Sequence, residues 1–177
     1  MGFEVRKATL EDREAIRHLI AESARGLSRE HYDDAQIEGA IARVFGVDSS
    51  LIEDSTYFVA DQDGMLIGCG GWSKRKTLYG GDQFSTRDTG MLDSARDPAK
   101  IRAFFVHPEH ARKGVARAIL SQCEREAKEH GFAVLELMAT LPGIKFYEAN
   151  GYSATGDFDL ELADGVKLQF VLMRKQL

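Results

Sequence analysis

The residues with the clearest chemical potential lie in a short basic loop. Arg112, Lys113 and Arg117 surround Gly114, and the apolar spacing that begins at Val115 predicts a long amphipathic helix. The first N–H groups of a helix have no partner within it, and the helix dipole adds partial positive charge there. The N–H groups of residues 113–116, with the basic side chains, therefore predict an anion site that suits a phosphate.

Small residues at two positions would let such an anion reach the backbone. Gly114 and Ala116 keep side chains away from the helix end. A basic loop that only caps a helix is the plainer alternative. The apolar runs Ala103–Val106 and Ala133–Met138 flank the loop and helix, and Pro108 should end the first run as a strand. This strand, helix, strand order predicts two parallel neighbours with a right-handed connection.

Composition limits the class of protein. The chain has 177 residues, of which 44% are hydrophobic and 29% charged, so residues 1–177 are expected to form a single domain. A formal net charge of −5 without a long basic run argues against a nucleic-acid partner. Cys69 and Cys123 lack metal-ligand spacing, so buried reduced thiols and no metal are expected. With no apolar run long enough to cross a bilayer and no signal pattern, a soluble cytoplasmic protein without membrane contacts is the default expectation.

The remaining segments alternate between strand and helix signals. A helix should begin after Thr9 and end near Gly26. The other predicted elements are a strand at Phe3–Lys7, a helix at Asp34–Phe45, a hairpin of Thr56–Ala60 with Met65–Trp72, a short helix at Gly143–Ala149, and a second hairpin of Tyr152–Leu162 with Val166–Arg174.

Two segments allow more than one interpretation. The glycines at 68, 70 and 71 lie within a predicted strand, where they indicate either a bulge or close approach of another molecule, or a bent strand that clears a neighbouring side chain. Ser73–Pro98 shows no periodicity, which is typical of a binding loop or of a disordered segment.

Two motifs carry a resemblance to a known family. The stretch 106–116 is similar to the acetyl-CoA signature of the GNAT (Gcn5-related N-acetyltransferase) superfamily, and 146–152 is similar to its second hallmark, Phe-Tyr-x-x-x-Gly-(Phe/Tyr). The order of predicted elements resembles the same family across essentially the whole chain. The resemblance implies an α+β fold in which a mixed, mostly antiparallel sheet of about seven strands is flanked by four helices. One departure is Ala111, which stands where the family usually has Arg or Gln.

The family resemblance also implies a cosubstrate and the residues that hold it. Acetyl-CoA would be the acetyl donor, with its pantetheine arm along a strand edge opened by a bulge or splay, where the N–H of Val106 would polarise the thioester carbonyl. Tyr147 matches the tyrosine that protonates the departing thiolate, or else packs against the cosubstrate. The cofactor-binding residues implied are Phe104, Phe105, Val106, Arg112, Lys113, Gly114, Val115, Ala116 and Arg117.

The function implied is an N-acetyltransferase that moves an acetyl group from acetyl-CoA directly to an amine of a small molecule or peptide, as a monomer or homodimer. The alternative is a non-catalytic acyl-CoA-binding or sensing module, because the predicted strand before the loop carries no carboxylate. Glu136, His107 and backbone-held waters are open candidates for the general base, and none is assigned.

Overall fold

The computed structural model describes residues 2–84 and 86–177. Its strands are β1 (Glu4–Lys7), β2 (Tyr57–Gln62), β3 (Met65–Ser73), β4 (Ala99–Val106), β5 (Val134–Thr140), β6 (Ser153–Glu161) and β7 (Lys167–Gln176). Its α-helices are α1 (Arg13–Leu27), α2 (Asp34–Arg43), α3 (Ser49–Glu53), α4 (Val115–Glu129) and α5 (Ile144–Ala149).

The strands form a single sheet in the order β1-β2-β3-β4-β5-β7-β6. β4 and β5 are parallel, and the other neighbours are antiparallel. Helices α1, α2 and α3 cover one face, called here the α1–α3 face, and α4 and α5 cover the other, the α4–α5 face. This arrangement confirms the predicted mixed, mostly antiparallel sheet of seven strands and the parallel pair around the long helix.

Apolar side chains at helical spacing attach the longer helices to the sheet. Ile16, Leu19 and Ile20 of α1 are buried, and Val115 and Ile119 begin the buried stripe of α4. Both helices therefore present one face to the core and a charged face to solvent. No helix among the described residues is both long and apolar enough to cross a membrane.

The prediction of four helices missed α3. This helix has five residues, too few to show a helical period, and it follows Asp48, whose carboxylate accepts the Ser50 N–H at 3.0 Å. The strand predicted from Ala103 also begins earlier, at Ala99. The sequence did not indicate this start, because Lys100 and Arg102 are charged residues that are not expected in a buried strand. Both are buried through ion pairs that the sequence does not show.

The glycines of β3 make room for neighbouring side chains. A Cβ on Gly68 would lie 2.5 Å from Val115 Cγ1, and one on Gly70 would lie 2.6 Å from the Phe104 ring. A Cβ on Gly71 would lie 2.6 Å from the Thr56 carbonyl oxygen. The interpretation of a strand that clears its neighbours is therefore confirmed for these positions, and the predicted bulge is also present, at Gly70.

The segment 74–97 folds back on itself through a few backbone contacts. Arg75 and Met91 form an isolated bridge, and the Lys76 N–H donates to the Gly90 carbonyl at 2.7 Å. Arg87 reaches from this segment to the carboxylate of Asp48 at 2.9 Å. These contacts tie the loop to the α1–α3 face, while Ser85 within it lies outside the described residues.

Candidate active site

The sheet opens between β4 and β5. Parallel pairing between these strands covers only Ala99 with Leu135 and Lys100 with Glu136. Beyond those pairs the strands diverge, although β4 stays paired with β3 as far as Val106 and β5 stays paired with β7 to its end. The backbone of 104–106 therefore borders a wedge-shaped opening, as an exposed edge does in sheets that accept an extended ligand.

A β-bulge sets the direction of the side chains at this opening. Gly70 of β3 faces two residues of β4, Ala103 and Phe104, and Ala103 adopts φ 53°. This left-handed conformation costs an alanine about 1–2 kcal/mol. Tyr57 supports it by donating its hydroxyl to the Ala103 carbonyl at 3.2 Å. As a result Phe104 packs on the α4–α5 face and Phe105 on the α1–α3 face.

A cavity of about 70 Å³ crosses the sheet through the opening and is continuous with solvent at its mouth. Tyr147 and Leu137 line it on the α4–α5 face, whereas Phe105, Met138 and Phe170 line it on the α1–α3 face. A molecule that enters from one face can therefore meet a second molecule that enters from the other.

The basic loop has the backbone of an anion site. Gly114 precedes α4 with φ 83°, and a Cβ there would meet no atom within 4 Å. The first helical bond runs from the Ala118 N–H to the Gly114 carbonyl at 3.0 Å, so the N–H groups of residues 115–117 have no acceptor within the helix. Arg112, Lys113 and Arg117 are exposed around this end. A pyrophosphate fits this cradle, which lies directly after the open edge of β4.

The N–H that was predicted to polarise a thioester already has a partner. Val106 donates to Ser23 Oγ of α1 at 3.2 Å, and Ser23 is only 4% exposed. Ser23 is not among the site residues predicted from the sequence. Its signal was a serine seven residues after Ile16, on the apolar face of the first helix.

Tyr147 of α5 lies at the cavity wall with 8% of its surface exposed. Its ring makes an edge contact with Phe104, with centroids 6.5 Å apart. Burial raises the pKa of its phenol above the ordinary value, and nearby Cys123 adds to the effect. The phenol therefore keeps its proton at neutral pH and can act as a hydrogen-bond donor.

Neither side chain considered as a general base is free for that task. Burial alone would raise the pKa of Glu136, but hydrogen bonds and charge from Lys100 and Arg174, each 2.6 Å away, hold it below the ordinary value. The Nδ1 of His107 accepts the Glu109 N–H at 3.2 Å, and its Nε2 lies 3.5 Å from a carboxylate of α1. Neither side chain lines the cavity that crosses the sheet.

A buried ion cluster forms one wall beside the bulge. Arg102 of β4 pairs with Asp48 at 2.9 Å and donates to the Gly80 carbonyl at 2.6 Å. Burial would raise the pKa of Asp48, but the charges of Arg102 and Arg87 lower it. The cluster ties the bulged strand to the 74–97 segment. The sequence could not indicate it, because its members are far apart along the chain.

Comparison with known proteins gives a consistent result. The family model described as "Acetyltransferase (GNAT) family" matches residues 13–152. A GCN5-related N-acetyltransferase structure from Rhodopseudomonas palustris is 18% identical with a TM-score of 0.74, over 100% of this chain and 97% of that one. The PaiA N-acetyltransferase of Thermoplasma acidophilum, in complex with coenzyme A, is 18% identical with a TM-score of 0.68, over 100% of both chains.

A third similar structure is YncA of Salmonella typhimurium, a putative acetyltransferase with acetyl-CoA, which is 18% identical with a TM-score of 0.64 over 100% of this chain and 95% of that one. No curated protein sequence matches the chain significantly. At these identities the solved structures establish the shared fold.

Proposed function

Because the chain belongs to the GNAT acetyltransferase family and is an acyltransferase, we propose that it moves an acetyl group from acetyl-CoA directly to an amine of a small molecule or peptide. The observation that carries this proposal is the wedge between β4 and β5, which opens on the cavity beside Tyr147, while the loop with the anion cradle at Gly114 follows β4. We further propose that residues 1–177 form one domain, since both hydrophobic clusters pack on the same sheet.

The fit of acetyl-CoA is supported by the geometry along β4. The backbone N–H groups after Gly114 and the exposed basic side chains would hold the pyrophosphate. The edge formed by 104–106 borders the opening, where its backbone can meet the amides of a pantetheine arm. Two proteins of similar fold, PaiA and YncA, are described with coenzyme A and acetyl-CoA respectively, which agrees with this assignment.

Acetyl-CoA would supply the acetyl group as a thioester. The Val106 N–H would exchange its bond to Ser23 for one to the thioester oxygen, where negative charge develops as the amine attacks. Tyr147 would donate its phenolic proton towards the departing sulfur. The raised pKa of the phenol does not by itself oppose this step, because a thiolate in the same buried region also binds its proton more tightly.

The proposal is tested by release of free thiol from acetyl-CoA in the presence of a panel of primary amines that includes polyamines, amino acids, peptides and arylalkylamines. We expect release that depends on the amine, with an equal amount of acetylated amine detected by mass spectrometry. Tight acetyl-CoA binding by calorimetry, without release for any member of the panel, would instead identify a sensing module.

A further inference from the structure

We propose that the acceptor is a primary amine carried on a compact, uncharged, ring-bearing body, and that it enters the cavity as the free base. This inference rests on the proposed acetyl transfer and adds the chemical class of the acceptor. It follows from what lines the cavity on the α1–α3 face, opposite the side that carries Tyr147.

Four aromatic rings lie on that wall, beside the glycine backbone at 46, 80 and 81. Phe45 and Phe105 are in edge contact with centroids 5.4 Å apart, and Tyr79 stacks on Phe170 at 6.1 Å. Met138 completes the surface with a flexible thioether. Burial of an apolar body against these rings makes the free energy of binding more favourable. The rings also favour a ligand with a flat ring that can make offset or edge contacts.

The wall offers no charge to a charged acceptor. Among the described side chains that line the cavity, Arg102 is the one with a formal charge, and it is 3% exposed. Its guanidinium pairs with Asp48 at 2.9 Å, a carboxylate that Arg87 shares, and donates to the Gly80 carbonyl at 2.6 Å. A polyamine would therefore find no carboxylate for its second ammonium, and an amino acid would find no free cation for its carboxylate.

The same wall decides the protonation state of the amine. Removing an ammonium from water costs several kcal/mol, and a cation–π contact with a ring such as Tyr79 returns only about 2 kcal/mol. Binding as the free base instead requires loss of the proton in solvent, which costs about 4 kcal/mol at pH 7 for a pKa near 10, but leaves no charge to be buried. This removes the need for a general base, which agrees with the engagement of Glu136 by two cations and of both ring nitrogens of His107.

The transfer balances without a separate protein base. The amine nitrogen forms a bond to the acetyl carbon while the carbon–sulfur bond breaks. Tyr147 gives its proton to the sulfur, and the proton that the nitrogen loses restores the phenol. The products are an acetamide and free CoA thiol with no net proton released inside the cavity. The proton of the ammonium is left in solvent before the amine enters.

Four probes test the acceptor class with the wild-type protein and acetyl-CoA. They are 2-phenylethylamine, its 2,2-difluoro analogue with a less basic nitrogen, spermidine, and phenylalanine, which adds a carboxylate to the same body. We expect kcat/KM at pH 7 for phenylethylamine to exceed that for spermidine or phenylalanine by at least about tenfold, the typical effect of an unpaired charge in a dry site.

The pH dependence tests entry as the free base. An alkylamine with a pKa near 10 is only about 0.1% free base at pH 7. For phenylethylamine kcat/KM should therefore rise nearly tenfold per pH unit between about pH 7 and 9. For the difluoro analogue the rise should end at lower pH, close to the pKa of that amine measured in solution.

Two matched variants locate the site. Tyr79→Leu removes a ring from the wall, and we expect KM for phenylethylamine to rise about fivefold, the middle of the range for one aromatic contact. Phe158→Leu is the control, because Phe158 contacts Tyr79 at 5.7 Å but does not line the cavity, so KM should stay unchanged. Neither variant should alter affinity for acetyl-CoA.

The outcomes separate this inference from the proposed function. Preference for spermidine or phenylalanine over phenylethylamine would overturn the acceptor class and leave acetyl transfer intact. A kcat/KM that does not follow the free-base fraction would overturn entry as the free base. Tight acetyl-CoA binding with no thiol release for any amine would overturn the transferase proposal and this inference together.

Discussion

Replacement of Ser23 by alanine tests whether the Val106 N–H binds the acetyl donor. In the free protein this N–H donates to Ser23 Oγ at 3.2 Å. Ser23→Ala leaves a partly buried donor without its acceptor, which costs about 1 kcal/mol. For a chain of this length that cost lowers Tm by about 2–4 °C. In the complex the acyl oxygen accepts a hydrogen bond from the same N–H, so the donor that is unpaired in the free variant gains a partner on binding. The variant should therefore bind acetyl-CoA about fivefold more tightly than wild type.

The assay combines thermal melting of the free protein with calorimetry of acetyl-CoA binding. Ser121→Ala is the matched control, because its hydroxyl donates to the Arg117 carbonyl at 3.0 Å on the exposed side of α4, away from β4. We expect the control to change neither quantity. A Ser23→Ala protein that melts lower and also binds acetyl-CoA more weakly would refute the exchange, since Ser23 would then contact the donor itself. Unchanged Tm and Kd would refute it as well.

Three further substitutions test the rest of the site. Tyr147→Phe should lower kcat by about 10²-fold with acetyl-CoA affinity unchanged by calorimetry, and unchanged kcat would remove Tyr147 as the proton donor. Gly114→Ala should cost about 1 kcal/mol and weaken acetyl-CoA binding because φ is 83°, whereas Gly156→Ala, with equal space for a Cβ and no positive φ, should do neither. Glu136→Gln should cost about 3 kcal/mol at pH 7 by leaving two cations without their carboxylate. Because the pKa of Glu136 is lowered in the folded state, this stabilisation is present above the unfolded pKa of about 4.3 and is lost as the pH falls further. Urea unfolding should therefore find the difference smaller near pH 3.

Local patterns accounted for most of the secondary structure. Helix α4 begins at Val115 as its apolar spacing predicted, and both hairpins form around their Asp-Gly turns. Two features were not predicted. Helix α3 is too short to show a helical period, and at the start of β4 Lys100 and Arg102 are buried, which is rare for charged residues. At the start of β4 the tertiary partners of these two side chains, and not the local sequence, determine the structure.

The sequence by itself predicted the anion cradle and the position of Tyr147 within the second hallmark, because both depend on residues close together in the chain. Tertiary structure decided which groups remain available for chemistry. The Val106 N–H is held by Ser23, which is 83 residues away, and Glu136 is paired with Lys100, which is 36 residues away. Hydrogen bonds and ion pairs across such separations arise only when the strands and helices pack, so no local pattern records them.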